Sequence, residues 1–356
     1  MKSLLGMLMM GLVALTMPVH GAERLVYAVV HKSSDHSPMK TDVFSIDPES
    51  AEKRVVFSDE STSILLLQRL YVFHFPVVGG GKLFAHAAER GVQVGFPGNA
   101  SIYELSTDGS NSFRMVAEVI GGESLGEIFA DPTGTLVGYV NRLKRKQYIF
   151  IHDVKTGDLK HRIDATDIFL DCFPSAIGWL GGGDRLFFSL EAGDVHITSE
   201  ESYDRVGSYV MDLNGEGPTR LDPVPALEGV LPPQTVRLVG VLPAGDYLYE
   251  TMQQRRRPAP GRYRMVFEII KASPDSARFK RIGFSAESGL YSGIRVCYRL
   301  SPSGRYLAAA ALPVSSSAVS GDIWLKDLYA GTERKLVSIP AKGLDGPFIG
   351  LVGWVD

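Results

Sequence analysis

The C-terminal strand of this chain constrains its fold more than any other feature. Residues 348–356 (FIGLVGWVD) read as a copy of residues 175–182 (SAIGWLGG). The internal copy leads through a turn into a second strand at residues 185–190, whereas no chain follows the terminal copy. An equivalent of that second strand stands at the opposite terminus, at residues 24–30. A repeat divided between the two termini predicts a closed ring in which the first and last strands pair.

Six repeats of four strands predict the architecture of the ring. Each repeat starts with an apolar strand, a turn rich in Gly and Pro, and a second strand, as at residues 128–139 and 298–308. Pro presets φ at the second turn position, and Gly accepts a positive φ near its end. A second hairpin follows, as at residues 208–221 around Asn214 and Gly215. Units spaced about 50–60 residues apart predict an all-β, six-bladed β-propeller of four-stranded blades over residues 23–356, its first blade closed by the C-terminal strand.

The strands of each blade are named a to d from the central channel outwards. Charged pairs stand on the predicted d strands, such as Lys53 with Arg54 and Lys280 with Arg281. Charge on an outer edge discourages pairing with other chains. A pair of stacked β-sandwiches is the alternative architecture, but it does not explain a repeat that is split between the termini.

The N-terminal segment predicts export. Lys2 precedes an uncharged apolar run at residues 4–17, which is shorter than the about 18 residues of a membrane span. We interpret residues 1–22 as a signal peptide cleaved after Gly21 or Ala22, with an N-terminal membrane anchor as the alternative. The mature protein is then periplasmic or secreted. We expect no integral membrane segment after cleavage.

Charge and cysteine content narrow the class of protein further. The net charge of −3 lacks the excess of positive charge that is typical of proteins that bind nucleic acid. The two cysteines, Cys172 and Cys297, are too few for a fold built on disulfides. One disulfide between them remains an alternative. We interpret both cysteines as small buried apolar residues rather than nucleophiles.

Two motifs resemble the TolB-type repeat of the WD-type propeller superfamily. The hairpin at residues 208–221 (SYVMDLNGEGPTRL) is similar to its c–d hairpin, and residues 300–305 (LSPSGR) and 130–134 (ADPTG) are similar to its a–b turns. The resemblance implies a TolB-like six-bladed propeller, here without the N-terminal α/β domain of TolB. It implies little about function, because the same repeat occurs in prolyl-oligopeptidase propellers. The G-x-S-x-G elbow that a hydrolase domain of that family needs is absent from the sequence.

One face of the ring holds the candidate binding residues. In a propeller the b–c and d–a connections share a face, and the predicted b–c connections are long: residues 31–41, 89–99, 191–206, 253–264 and 314–320. The first group is a run of arginines, whose guanidinium groups can bind carboxylates or phosphates. The second group is an acidic loop that can lie opposite these arginines. The third group consists of polar residues expected at the mouth of the central channel. The binding candidates in these three groups are Arg255, Arg256, Arg257; His196, Glu200, Glu201; and His74, Arg295. Glu127, Asp171 and Arg237 are further channel-mouth residues that we interpret as structural or solvated.

The functional expectation is an exported, non-catalytic, monomeric propeller that binds a protein or envelope ligand on this face. We expect no cofactor and no metal, although His31, Asp35 and His36 offer nitrogen and oxygen donors. The alternative is a propeller enzyme, a hydrolase or lyase that is metal-dependent or metal-free, with its site at the channel mouth.

Overall fold

Six antiparallel sheets make up the described part of the chain. The computed structural model describes residues 23–32, 38–58, 64–66, 77–89, 100–120, 124–169, 174, 176–180, 183–190, 207–214, 217–221, 235–256, 263–273, 279–284, 296–311, 321–339 and 348–355. Blade 1 contains β1 (Arg24–Lys32), β2 (Pro38–Ile46) and β3 (Lys53–Ser58); blade 2 contains β4 (Ile64–Leu66), β5 (Val77–Gly79), β6 (Lys82–Glu89), β7 (Ser101–Leu105) and β8 (Phe113–Glu118). Blade 3 contains β9 (Ser124–Ala130), β10 (Leu136–Leu143), β11 (Lys146–Asp153) and β12 (Leu159–Asp164), followed by α1 (Thr166–Phe169); blade 4 contains β13 (Ala176–Leu180), β14 (Arg185–Leu190), β15 (Gly207–Asp212) and β16 (Thr219–Arg220). Blade 5 contains β17 (Thr235–Val241), β18 (Tyr247–Arg256), β19 (Tyr263–Ala272) and β20 (Phe279–Ile282); blade 6 contains β21 (Val296–Leu300), β22 (Tyr306–Ala311), β23 (Gly321–Asp327) and β24 (Glu333–Ile339), and β25 (Phe348–Val355) ends the chain.

The ring is closed by the last strand, as the sequence predicted. β25 pairs antiparallel with β1, so that the first sheet has the order β25–β1–β2–β3. Tyr27 lies opposite Leu351 and Leu25 opposite Trp354. The Trp354 indole Nε1–H donates to the carbonyl oxygen of Arg299 in blade 6 at 3.2 Å. The prediction of a six-bladed, all-β propeller with four-stranded blades is therefore confirmed.

The hydrophobic core lies between the blades. Each of six apolar clusters in the described residues joins two neighbouring blades, and the clusters run once around the ring. β25 contributes to two of them: Leu351 packs towards blade 6, and Val352 packs towards blade 2. Alternate residues of one strand serve opposite seams because side chains of a strand alternate between its two faces.

The a–b turns of blades 2 and 3 approach each other through glycine. Gly80 has φ +54° and donates its N–H to the carbonyl oxygen of Pro132 at 2.9 Å. A Cβ at Gly80 would lie 2.0 Å from the carbonyl oxygen of Thr133. Glycine is therefore required there by both its dihedral angle and the close approach of another backbone.

The c–d turns share one Asp-based geometry. In blade 3, the Asp153 carboxylate accepts the N–H groups of Lys155 and Thr156 at 2.9 and 3.0 Å, and Gly157 follows with φ +78°. The Thr156 amide outweighs desolvation and, with the Lys155 amide, holds the pKa of Asp153 below its ordinary value. Blade 1 repeats this turn with Asp47, but its left-handed position is Ala51, at φ 60°.

Ala51→Gly should stabilise the protein by about 0.5–1 kcal/mol, because a left-handed backbone costs alanine more than glycine. Chemical denaturation measures this change in the free energy of unfolding. The reciprocal control is Gly331→Ala, at the equivalent position of blade 6 with φ +70° and no atom within 4 Å of its Cβ position. We expect that variant to lose a similar amount, and a loss of stability in Ala51→Gly would contradict the assignment.

Several elements differ from the sequence prediction. Each repeat was predicted to start with one apolar strand, but the innermost strand of blade 2 consists of β4 and β5, which pair with opposite ends of β6. The ladders of blades 1 and 5 continue further than expected, to the pairs Lys32 with Pro38 and Arg256 with Tyr263. Their b–c connections are therefore residues 33–37 and 257–262 instead of 31–41 and 253–264. The short helix α1 was not predicted, because one turn leaves no helical periodicity.

No helix among the described residues is long and apolar enough to cross a membrane. The predicted signal peptide, residues 1–22, lies outside the described residues.

Candidate binding face

The binding face is the side of the ring that carries the b–c and d–a connections. In the described residues it presents three features: the extended hairpin of blade 5, a tight hairpin at residues 142–147 of blade 3, and a cluster around Asp42 in blade 1. They differ in backbone geometry and in charge.

The hairpin of blade 5 extends further than the described parts of its neighbouring strands. The last described pair between β17 and β18 is Thr235 with Met252, and the pairing of β20 with β19 ends at Ile269. β18 and β19 stay paired through four further positions, from Gln253 with Val266 to Arg256 with Tyr263. We call residues 253–256 and 263–266 the ribbon. At about 3.4 Å per residue, it extends about 14 Å past the last described pair of the innermost strand.

Arginines stand opposite each other in the ribbon. Arg255 of β18 is the cross-strand partner of Arg264 in β19. Arg255 and Arg256, which were predicted to lie on a loop, are thus the end of a strand. Arg264 was missed because its register with Arg255 is set by the ladder.

The tight hairpin of blade 3 is basic. Between Leu143 and Lys146 the chain turns through two residues, Lys144 with φ 52° and Arg145 with φ 66°. Both are exposed, and in the described part of the chain no carboxylate lies within ion-pair distance of either. Lys146, which is also exposed, pairs with Asp164 at 3.2 Å. We call residues 142–147 the basic hairpin. It was missed because its turn lacks the Asn-Gly or Asp-Gly signal of a two-residue hairpin.

The last residue of the basic hairpin is a buried glutamine. Gln147 is 0 % exposed, and within the described part of the chain neither its amide nitrogen nor its amide oxygen has a hydrogen-bond partner. It lies on the same face of β11 as Ile149 and Ile151, which belong to the apolar cluster between blades 3 and 4. Its main chain is satisfied: the carbonyl accepts the Ala165 N–H at 2.8 Å. Burial of an amide that makes no hydrogen bond costs free energy.

The cluster in blade 1 holds one histidine. His31 Nε2 lies 3.2 Å from one Asp42 oxygen, and Lys40 Nζ lies 3.4 Å from the other. Asp35 and His36, its predicted companions, lie outside the described residues. Within the described ranges no group of three or more His, Cys, Asp or Glu side chains is arranged to hold a metal ion.

Two of the channel-mouth candidates lie within the described residues. Arg237 of β17 forms an ion pair with its cross-strand partner Glu250, which is only 4 % exposed. Tyr298 of blade 6 is also buried, and desolvation together with the charge of Glu250 raises the pKa of its phenol. Glu127 is half-buried and engaged in the fold. Arg237 therefore forms its ion pair with Glu250 beside the seam between blades 5 and 6.

The other predicted site residues cannot be placed. Arg257, His196, Glu200, Glu201, His74, Arg295, Asp171 and Cys172 lie outside the described residues, and their roles stay predictions. Cys297 is a half-buried free thiol.

The fold defines the class of protein: a six-bladed β-propeller of four-stranded blades whose first blade is completed by the C-terminal strand. TolB from Acinetobacter baumannii is similar, with a TM-score of 0.54 and 11 % identity over 93 % of this chain and 66 % of that chain. The putative TolB from Agrobacterium tumefaciens gives 0.50 and 15 % over 93 % and 99 % of the two chains. A chain of the nidogen/laminin complex gives 0.50 and 11 % over 94 % and 98 %.

These similarities confirm the predicted TolB-like propeller, and at such identities they show the fold alone. The chain spans about two thirds of the length of the Acinetobacter TolB. No protein family matches the sequence. No curated protein matches it either.

Proposed function

We propose that this chain is an exported, non-catalytic propeller that binds a protein or envelope ligand through its binding face. The observation that carries the proposal is the ribbon of blade 5. A rigid ring that holds such a projection in a fixed direction is the usual arrangement for a binding element.

The backbone of the ribbon favours a polypeptide partner. Beyond Met252 and Ile269 no described strand of this chain pairs with the outer edges of the ribbon. A two-stranded hairpin without neighbours is only marginally stable, and unpaired edges are templates for an added strand. A partner segment that adds a strand would satisfy these groups, which is a known mode of peptide recognition.

The charge of the ribbon favours an anionic group on that partner. Arg255 is the cross-strand partner of Arg264 in the ladder, and Arg256 follows Arg255 in β18. Guanidinium groups form charge-assisted hydrogen bonds with carboxylates. Export through the predicted signal peptide would place this face in the periplasm or outside the cell.

The test is site-specific photo-crosslinking in the native host. A photoreactive amino acid at Gln254, within the ribbon, should yield a discrete adduct with a partner molecule. The control position is Tyr329, which is 72 % exposed and lies on a c–d turn of the opposite face. Equal adducts at both positions, or none at Gln254, would refute the proposal.

A shortened variant separates binding from folding. Residues 253–266 are replaced by Asn-Gly, which joins Met252 to its cross-strand partner Phe267. Because the removed pairs lie outside the four-stranded sheet, we expect Tm to change by less than about 3 °C. This variant should fail to compete with the full-length protein for the partner captured at Gln254, and undiminished competition would count against the ribbon.

A further inference from the structure

We infer that the basic hairpin of blade 3 is an anchoring site for an acidic polypeptide segment of the partner. This rests on the proposed function, since it names the chemistry that the same face recognises. It concerns residues that the ribbon does not include, and it stands on three separate observations.

The first observation is the charge of the hairpin. Residues 142–147 contain four cations, Arg142, Lys144, Arg145 and Lys146, and no acid. Asp164 neutralises Lys146 at 3.2 Å, while Lys144 and Arg145 are exposed without a carboxylate at ion-pair distance in the described chain. The whole chain has a net charge of −3, so the four cations of the hairpin are not part of a general excess of positive charge. Such a spot orients an anionic partner during encounter.

The second observation is the backbone of the turn. Lys144 and Arg145 occupy the two left-handed positions of a two-residue hairpin, where Asn-Gly is strongly preferred. A non-glycine residue with a left-handed backbone costs free energy, and two successive ones cost it twice. The turn is less stable than one with Asn-Gly, and its sequence places two cations at the tip of the hairpin.

The third observation is Gln147, the second residue after the turn. Its fully buried amide has no partner for either polar atom among the described residues. This cost is independent of the backbone of the turn, yet it falls on the same hairpin. An unfavourable turn backbone and an unpaired buried amide thus occur in the same hairpin. Several destabilising features at one place are typical of a functional site.

An acidic polypeptide fits the hairpin better than a membrane or a nucleic acid. Two uncompensated cations at one tip match two or three carboxylates. Binding to an anionic membrane takes a cluster of about 4–8 cations, and nucleic acid requires a basic stripe or patch. The net charge of −3 of the whole chain disfavours both of these larger anions.

The binding test uses a fluorescent eight-residue peptide of alternating Asp and Glu, with an Asn/Gln peptide of equal length as its neutral counterpart. Fluorescence anisotropy of the full chain at low salt should show binding of the acidic peptide alone. The double variant Lys144→Asn with Arg145→Gly should bind about tenfold more weakly, which corresponds to roughly 1.4 kcal/mol. It should also raise Tm by about 2–4 °C, because the turn then has its preferred residues.

Two controls separate charge from stability. Ala51→Gly on the opposite face should raise Tm without changing the affinity for the peptide. Lys144→Gln with Arg145→Gln removes the charges and keeps the unfavourable backbone, so it should lose affinity without a gain in Tm. Loss of affinity in both charge variants, with unchanged affinity in Ala51→Gly, would support the inference.

Three results would overturn it. These are equal binding of the neutral peptide, unchanged affinity in the charge variants, and preferential binding of the full chain to vesicles of phosphatidylglycerol and phosphatidylcholine. If the charge variants keep their peptide affinity and still form the adduct at Gln254, the inference fails while the proposed function stands. If the adduct is absent from the wild-type protein but the peptide binds through the basic hairpin, the proposed role of the ribbon fails instead.

Discussion

Deletion of residues 348–356 should abolish the cooperative unfolding transition of this protein. β25 supplies four buried apolar side chains, Ile349, Leu351, Val352 and Trp354, to the seams on both sides of blade 1. At roughly 1.5–3 kcal/mol for each buried side chain, their loss amounts to about 6–12 kcal/mol. A typical native protein is stable by about 5–15 kcal/mol, so the deletion removes most or all of the stability.

The same conclusion can be tested without shortening the chain. Leu351→Ala, at a residue that is 0 % exposed, should cost about 3–4 kcal/mol in the free energy of unfolding. Leu159→Ala on the outer strand β12 is the matched control, because that leucine is 42 % exposed and should lose less than about 1 kcal/mol. Denaturant titration of the two variants provides both values. A deletion variant that melts at the wild-type temperature would disprove closure of the ring by β25.

The second large effect is expected for Gly80→Ala, with a loss of about 3–5 kcal/mol. The new Cβ would meet the carbonyl oxygen of Thr133 at 2.0 Å and the amide nitrogen of Gly134 at 2.7 Å. Both are backbone atoms, so no side-chain rotation relieves the contact. The variant must either move blade 2 away from blade 3 or give up the hydrogen bond from Gly80 to Pro132.

The neighbouring glycine separates the two contributions to that loss. Gly81 has φ +74°, but a Cβ added there meets no atom within 4 Å. Gly81→Ala should therefore lose only the about 1–2 kcal/mol of a left-handed backbone. The difference between the two variants measures the packing of blade 2 against blade 3. Equal losses would mean that the close approach at Thr133 contributes nothing.

Sequence reasoning was most successful where the determining interactions are local. The turns around Asp131, Asp153 and Ser301 were predicted correctly, because the conformational and hydrogen-bonding preferences of Asp, Ser, Pro and Gly act within a few residues. The two ends of the ring were matched because one repeat unit is divided between the termini. Charge was predicted on the outer strands because it prevents the edge of a sheet from pairing with other chains. Lys160 and Lys335, both on outer strands, are exposed as this prediction requires.

Sequence reasoning was less successful on the binding face. Arg255 was recognised as a candidate, but its pairing with Arg264 depends on a ladder that continues past the expected end of β18. Lys144 and Arg145 carry no turn signal, because their residue types disagree with the backbone that they adopt. Residue preferences for turns cannot predict a turn whose residues depart from those preferences.

The sequence by itself determined the number of blades, the four strands of each blade and the closure of the ring by its own tail, because these follow from repetition and from turn chemistry. Only the tertiary structure decided how the blades touch and what the binding face presents. Gly80 meets Thr133, which lies 53 positions further along the chain. The ribbon and the buried Gln147 likewise depend on where neighbouring strands stop. Such contacts join residues far apart in the chain, and their distances are set by the packing of whole blades rather than by any local pattern.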